Sequence, residues 1–117
     1  MTWSFSGGKL TISGSGAMAD YTATTRPWEI YTAKIKKVAL AEGVTAIGNY
    51  AFYNCTELRS ISIPGSVATI EEWAFCGCEK LQTVRLSEGL QIIGAEAFDD
   101  SGIKSIVIPK TVILIES

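Results

Sequence analysis

Residues 58–80 read LRSISIPGSVATIEEWAFCGCEK, and three further stretches of the chain repeat that pattern. Residues 35–57 read IKKVALAEGVTAIGNYAFYNCTE, residues 81–102 read LQTVRLSEGLQIIGAEAFDDSG, and residues 103–117 read IKSIVIPKTVILIES. The units start 23, 23 and 22 residues apart. The apolar positions recur in columns: Ile35, Leu58, Leu81 and Ile103; Val38, Ile61, Val84 and Ile106; Leu40, Ile63, Leu86 and Ile108. Further columns are Val44, Val67, Leu90 and Val112; Ile47, Ile70, Ile93 and Ile115; and the pairs Ala51-Phe52, Ala74-Phe75 and Ala97-Phe98. Self-similarity at a fixed short period is the mark of a solenoid. Each turn of the chain is one unit, and stacking the units merges their apolar columns into one core.

Within a unit the spacing changes character. In ISI the inward Ile61 and Ile63 alternate with Ser60 and Ser62, the period of two of a half-buried strand. Pro64 and Pro109 close two of these strands, because proline has no N–H to give a ladder, and Ala41 and Ser87 stand at that place in the other units. The middle segments VTAIG, VATIE and LQIIG carry spaced apolar residues and are expected to form a second set of short strands. The Ala-Phe segments are too short for a free helix and read as single helical turns or tight bends.

Residues 1–34 stand outside the repeat and read as an N-terminal cap on a single structural domain. WSFSGGKLTIS predicts a hairpin turning at Gly7-Gly8, with Leu10 and Ile12 as a strand zero beside Val38 and Leu40. SGSGAM reads as a turn-rich connection. RPWEIYTAKI reads as a short helix entered through Pro27, with Trp28, Tyr31 and Ile35 on one face.

The units resemble the BspA-type leucine-rich repeats of bacterial cell-surface and secreted proteins. The match lies in the ISIP segment, the V-x-x-I step, the Ala-Phe pair, and a Cys three residues after Phe at Cys55 and Cys78. The leader KLTISGSGAM followed by PW and IKKV is similar to the segment that often precedes such repeats. Ser101 stands where a third Cys is expected. The resemblance implies an α/β leucine-rich repeat solenoid, β-rich, coiling right-handed, with short parallel strands, single helical turns and the hairpin-plus-helix cap. It also implies a non-enzymatic protein-interaction or adhesion module on the cell surface or secreted. A structural spacer or stalk with no ligand of its own is the alternative.

Composition excludes several other classes. Ten Lys and Arg against 12 Asp and Glu leave a net charge of −2, no global excess to hold nucleic acid. There is no histidine, which removes the His-based catalytic triads, His zinc ligands and the usual proton shuttle. No apolar run reaches the ~20 residues of a membrane span, and the first residues lack signal-peptide character. No cofactor or metal is implied. Cys55 and Cys78 share a column and read as stacked buried thiols, an inter-coil disulfide being the sharper reading, while Cys76 falls off the columns and is expected to be exposed.

A protein or cell-surface ligand is expected on the outward side of the strands. Lys36, Arg59, Gln82 and Lys104 stack in one mostly basic column, with Lys37, Ser62 and Arg85 beside them. An ordinary solvated sheet face is the competing reading, since edge lysines also oppose aggregation. Tyr50, Tyr53 and Trp73 at the Ala-Phe turns are rivals, because aromatics are enriched in binding hot spots. The fourth unit breaks off at Ser117 before its Ala-Phe turn, which predicts an open last coil with Ser105–Ile108 as a free edge strand. Such an edge favours a homodimer through the final coil, or a longer natural protein.

Overall fold

The computed structural model describes residues 1–22, 24–104 and 106–116. Its coils stack into a body of 35 × 29 × 22 Å with two five-stranded sheets running along it. The first sheet takes the opening strand of each unit. It consists of β1 (Thr2–Ser6), β2 (Lys9–Ser13), β4 (Lys37–Leu40), β6 (Ser60–Ser62) and β8 (Thr83–Arg85), in that order. The second takes the middle segments: β3 (Ser15–Ala17), β5 (Gly43–Ile47), β7 (Thr69–Ile70), β9 (Ile92–Ile93) and β10 (Leu114–Ile115). All neighbours are parallel except β1 and β2, which form the antiparallel hairpin.

The alternation set the register. Leu10 pairs with Val38 and Ile12 with Leu40, so the hairpin's second strand is the strand zero that the apolar spacing predicts. Ser15–Ala17 differs from expectation. This segment is no mere connection but a strand on β5, joined through an irregularity at Gly16. Leu10, Ile12, Ile35, Val44, Ile47, Leu58, Ile63, Val67, Ile70, Leu81 and Leu90 fill the space between the sheets, fully or almost fully buried.

The Ala-Phe segments are bends rather than helical turns. Hydrogen bonds join Ala51 N to Gly48 O, Tyr53 N to Tyr50 O and Cys55 N to Phe52 O, each three residues back. A helix cannot grow from them, because two residues in each bend turn left-handed. Tyr50, Trp73 and Glu96 have φ of 59°, 63° and 54°, and Asn54, Gly77 and Asp100 have 57°, 79° and 55°. These are two columns of the repeat, so the conformation is a property of the unit. For bulky residues it costs ~1–2 kcal/mol each and survives only where surroundings enforce it. Enforcement comes from the next coil: Tyr50 N donates to Glu72 O, Phe52 N to Ala74 O, Asn54 N to Cys76 O, Phe75 N to Ala97 O and Gly77 N to Asp99 O. The bends thus form a third ladder, without strands. Among the described residues the one helix is a 3-10 helix at Glu29–Lys34.

Inside the bends, aromatic rings stack along the axis. Trp28, Phe52, Phe75 and Phe98 follow one another with centroids 6.0, 5.3 and 5.2 Å apart. Trp28 heads this ladder from the cap, and its Nε1 donates to Ala51 O at 2.8 Å. Trp3 and Tyr21 pack edge-on against it.

The fourth unit departs from the expected pattern. Its middle strand β10 forms, but residues 106–108 are not in a strand, and Ser105 lies outside the described residues. Among the described residues the outer strand of the first sheet is β8. The column residue Ile106 is only half-buried, and Val107 is 85% exposed.

Candidate interaction surface

Alternation along β2, β4, β6 and β8 turns one set of side chains inward and leaves the other on the outer face of the first sheet. Parallel pairing lines up Lys9 with Lys37, Lys37 with Ser60 and Ser60 with Thr83, and it sets Ser62 beside Arg85. Just ahead of these strands come Lys36, Arg59 and Gln82. Lys36 N donates to Gly8 O, and Gln82 N to Arg59 O, which ties each residue to the coil before it. Lys36, Lys37, Arg59, Ser62, Gln82, Arg85 and Lys104 are all exposed. A cleft of 260 Å³ adjoins Gln82, Thr83, Gly102 and Lys104, so Lys104 stays beside the row.

Two features of this face were missed in reading the sequence. Lys9 extends the basic row by one strand, and its position follows from the Leu10–Val38 register moved back by one residue. Glu57 interrupts the row. Lys80 Nζ reaches Glu57 Oε2 at 2.8 Å, and this bond and charge, with Arg59 and Lys36 further off, hold the carboxyl below the usual glutamate range. Beside Glu57, a cleft of 620 Å³ opens between the Gly7-Gly8 turn, Lys34, Lys36 and Thr56.

The opposite flank carries the other sign. Burial first, and then the charges of Asp20, Glu72 and Glu116, raise the pKa of Glu71. The charges of Asp99, Asp100 and Glu96 act on the Cys76 thiol. Tyr50 and Trp73 are half-buried and stack at 5.9 Å with an interplanar angle of 4°, while Tyr53 packs edge-on to Tyr50.

The cysteines correct one expectation. Cys55, Cys76 and Cys78 are all free thiols and all buried, Cys76 at 6% exposure rather than open to solvent. The left-handed turn at Trp73 and Gly77 folds the off-column Cys76 into the bend. Burial first, then Asp99, Asp100 and Glu96, raise its pKa. Cys78 Sγ lies 3.1 Å from Phe52 O, and its pKa is raised first by its hydrogen bond with Cys55 and then by burial. Burial and a raised pKa both disfavour the reactive thiolate at Cys76 and Cys78. Among the described residues no group of three or more His, Cys, Asp or Glu side chains could hold a metal ion, and no helix is long and apolar enough to cross a membrane.

The family description "BspA type Leucine rich repeat region (6 copies)" matches residues 30–117. The chain belongs to the BspA-type leucine-rich repeat family. Solved structures carry the same solenoid. A leucine-rich repeat protein of Eubacterium ventriosum ATCC 27560 is 29% identical over 93% of this chain, with a TM-score of 0.71. One of Bacteroides ovatus ATCC 8483 is 26% identical over 98%, with a TM-score of 0.73. The T. pallidum Leucine Rich Repeat protein, 22% identical over 99% with a TM-score of 0.77, shares the fold. The chain spans 35% of each of the first two proteins and 61% of the third. Comparison with curated sequences gives no match. BspA-type leucine-rich repeats generally mediate protein–protein interactions and are typically non-catalytic.

Proposed function

We propose that this BspA-type segment is a non-enzymatic interaction or adhesion module of a bacterial surface or secreted protein. Residues 1–34 serve as its cap, and the units 35–57, 58–80, 81–102 and 103–117 as its repeats. Its ligand is an acidic protein or cell-surface molecule that lies across the outer face of the first sheet, on Lys36, Lys37, Arg59, Ser62, Gln82, Arg85 and Lys104. One observation carries this reading: the basic side chains gather, exposed, on one rigid face, while Asp20, Glu71, Glu72 and Glu116 gather elsewhere. Such segregation steers an acidic partner and fixes its orientation. No nucleic acid, cofactor or membrane insertion is part of it.

A poly-L-glutamate matrix tests the face. The chain is expected to be retained at low salt and released as salt rises through the screening range. Lys36→Glu with Arg59→Glu should abolish retention without lowering Tm by more than a few degrees. Retention that survives both reversals would move the site elsewhere.

A second reading is a structural spacer or stalk segment with no ligand of its own, and the last coil is where such a segment would associate. Ile113, Leu114 and Ile115 are 78%, 49% and 57% exposed along the free edge of β10. That apolar edge supports a homodimer through like edges, an isologous contact.

A further inference from the structure

The inner and outer aromatic ladders of the bends differ in length. The inner one runs through three coils, Phe52, Phe75 and Phe98, with the last two rings 5.2 Å apart at an interplanar angle of 1°. The third coil therefore holds a ring in register with the second. The outer ladder runs Tyr50 and Trp73, likewise stacked in parallel, and then reaches Glu96. Glu96 shares the left-handed column with Tyr50 and Trp73, and Trp73 N donates to Ala95 O, so its side chain leaves the next coil at the equivalent place. Among the described residues the ring contact of Trp73 is with Tyr50 alone, on the side of the first coil. Its other face looks toward the coil of Glu96, which is exposed.

We propose that this step is a binding site for an arginine side chain of a basic protein partner. A guanidinium is planar and cationic, and it stacks on an indole face while presenting paired N–H donors to a carboxylate. Seated on Trp73 as the third member of the outer ladder, it meets Glu96 at its edge. Glu72, Asp99 and Asp100, all exposed and nearby in the same bends, extend the negative field to flanking basic residues. A lysine ammonium has the charge but neither the plane nor the fork, so the site discriminates between the two cations. The left-handed backbone at Trp73, uncommon for so large a residue, holds the ring at the rim of the bend rather than in the core. This surface is separate from the basic face, and its success or failure does not depend on that reading.

Isothermal titration with N-acetylated, C-amidated hexaarginine and hexalysine tests the site on the whole chain. Hexaarginine is expected to bind about fivefold or more tighter than hexalysine at equal salt. Glu96→Gln, an exposed substitution that leaves packing intact, should weaken hexaarginine by about fivefold or more and erase the preference. Trp73→Leu should do the same and Trp73→Tyr should retain most of the affinity. Lys36→Glu with Arg59→Glu, on the other face, should leave the arginine preference in place. Equal affinity for the two peptides would overturn the proposal, as would an arginine preference untouched by Glu96→Gln.

Discussion

The two ends of the solenoid are finished differently. At the N-terminal end Trp28 lies on Phe52 and is itself covered by Trp3 and Tyr21, so the first Phe of the ladder is wholly buried. Arg26 anchors the same layer. Its guanidinium is buried, bonded to Glu29, Thr32 and Tyr50 O, and set 5.9 Å from the Tyr53 ring. At the other end Phe98 is only half-buried, and a shallow cleft of 290 Å³ lies between it, Ile93 and Ile115. A repeat unit buries its apolar columns only against a neighbour. The cap supplies that neighbour with rings instead of another repeat. The last coil leaves its column residues Ile108 and Ile115 exposed.

Equivalent positions should therefore have unequal worth. Trp28→Ala removes a ring from the closed end together with the Nε1 bond to Ala51 O. The expected loss is ~3–5 kcal/mol, enough to lower Tm by roughly 10–20 °C in a domain of this size. Phe98→Ala, the ladder's other terminus, should cost only about 1–2 kcal/mol because its ring is partly wet already. Thermal melts of the two variants side by side give the comparison. Equal losses would mean that the two ends are equally covered in solution.

A second expectation concerns association through the open end. Sedimentation across a concentration series should show a reversible dimer that Ile113→Lys dissociates, while Ile30→Lys, an equally exposed apolar position on the cap helix at 78%, leaves it intact. A chain that stays monomeric throughout, or a dimer sensitive to Ile30 instead, would contradict the edge pairing.

Much of this asymmetry was legible in the residues. The columns placed the core, and alternation in KLTIS gave strand zero its partner one coil away. Trp28 reads in the sequence only as part of one face of the cap helix, and its place at the head of the Phe ladder was missed, although it precedes Phe52 by 24 residues, close to one repeat. Ser15–Ala17 was not legible. Its place in the second sheet depends on backbone bonds to β5, and Ser-Gly-Ala offers no side-chain pattern to reveal them. Cys76 misled for a related reason. Column counting assumes that off-column residues point outward, whereas a left-handed bend redirects them. The outward face was legible as a row of charges, but Glu57 belongs to no strand, and only the Lys80 contact across the coils places it in the row.

The thiols report how the ends open. Local opening begins where apolar cover is thinnest, so fraying should start at the last coil and move inward. Cys76 and Cys78, one coil nearer the open end, should be alkylated by iodoacetamide before Cys55, all three far more slowly than in unfolded chain. Mass spectrometry of the native protein over time gives the order. Cys55 reacting first would place the weak end at the cap.

The smallest expected effect joins the two ends through one carboxyl. Glu71, in the middle of the acidic flank, has its pKa raised by burial, then by Asp20 from the cap side, Glu72, and Glu116 from the last coil. A carboxyl whose pKa is higher in the folded chain holds its proton more tightly there. Its favourable contribution is complete below the ordinary glutamate range and is lost as pH rises through the raised folded value. Stability should therefore decline slightly over that window, and Glu71→Gln, which cannot ionise, should flatten the decline. Because Asp20 weighs more than Glu116 on this group, Asp20→Asn should lower the Glu71 pKa further than Glu116→Gln, as followed by carboxyl NMR titration. A larger response to Glu116→Gln would mean that the open last coil lies closer to Glu71 in solution than the cap does, and that the second end is less open than its exposed side chains suggest.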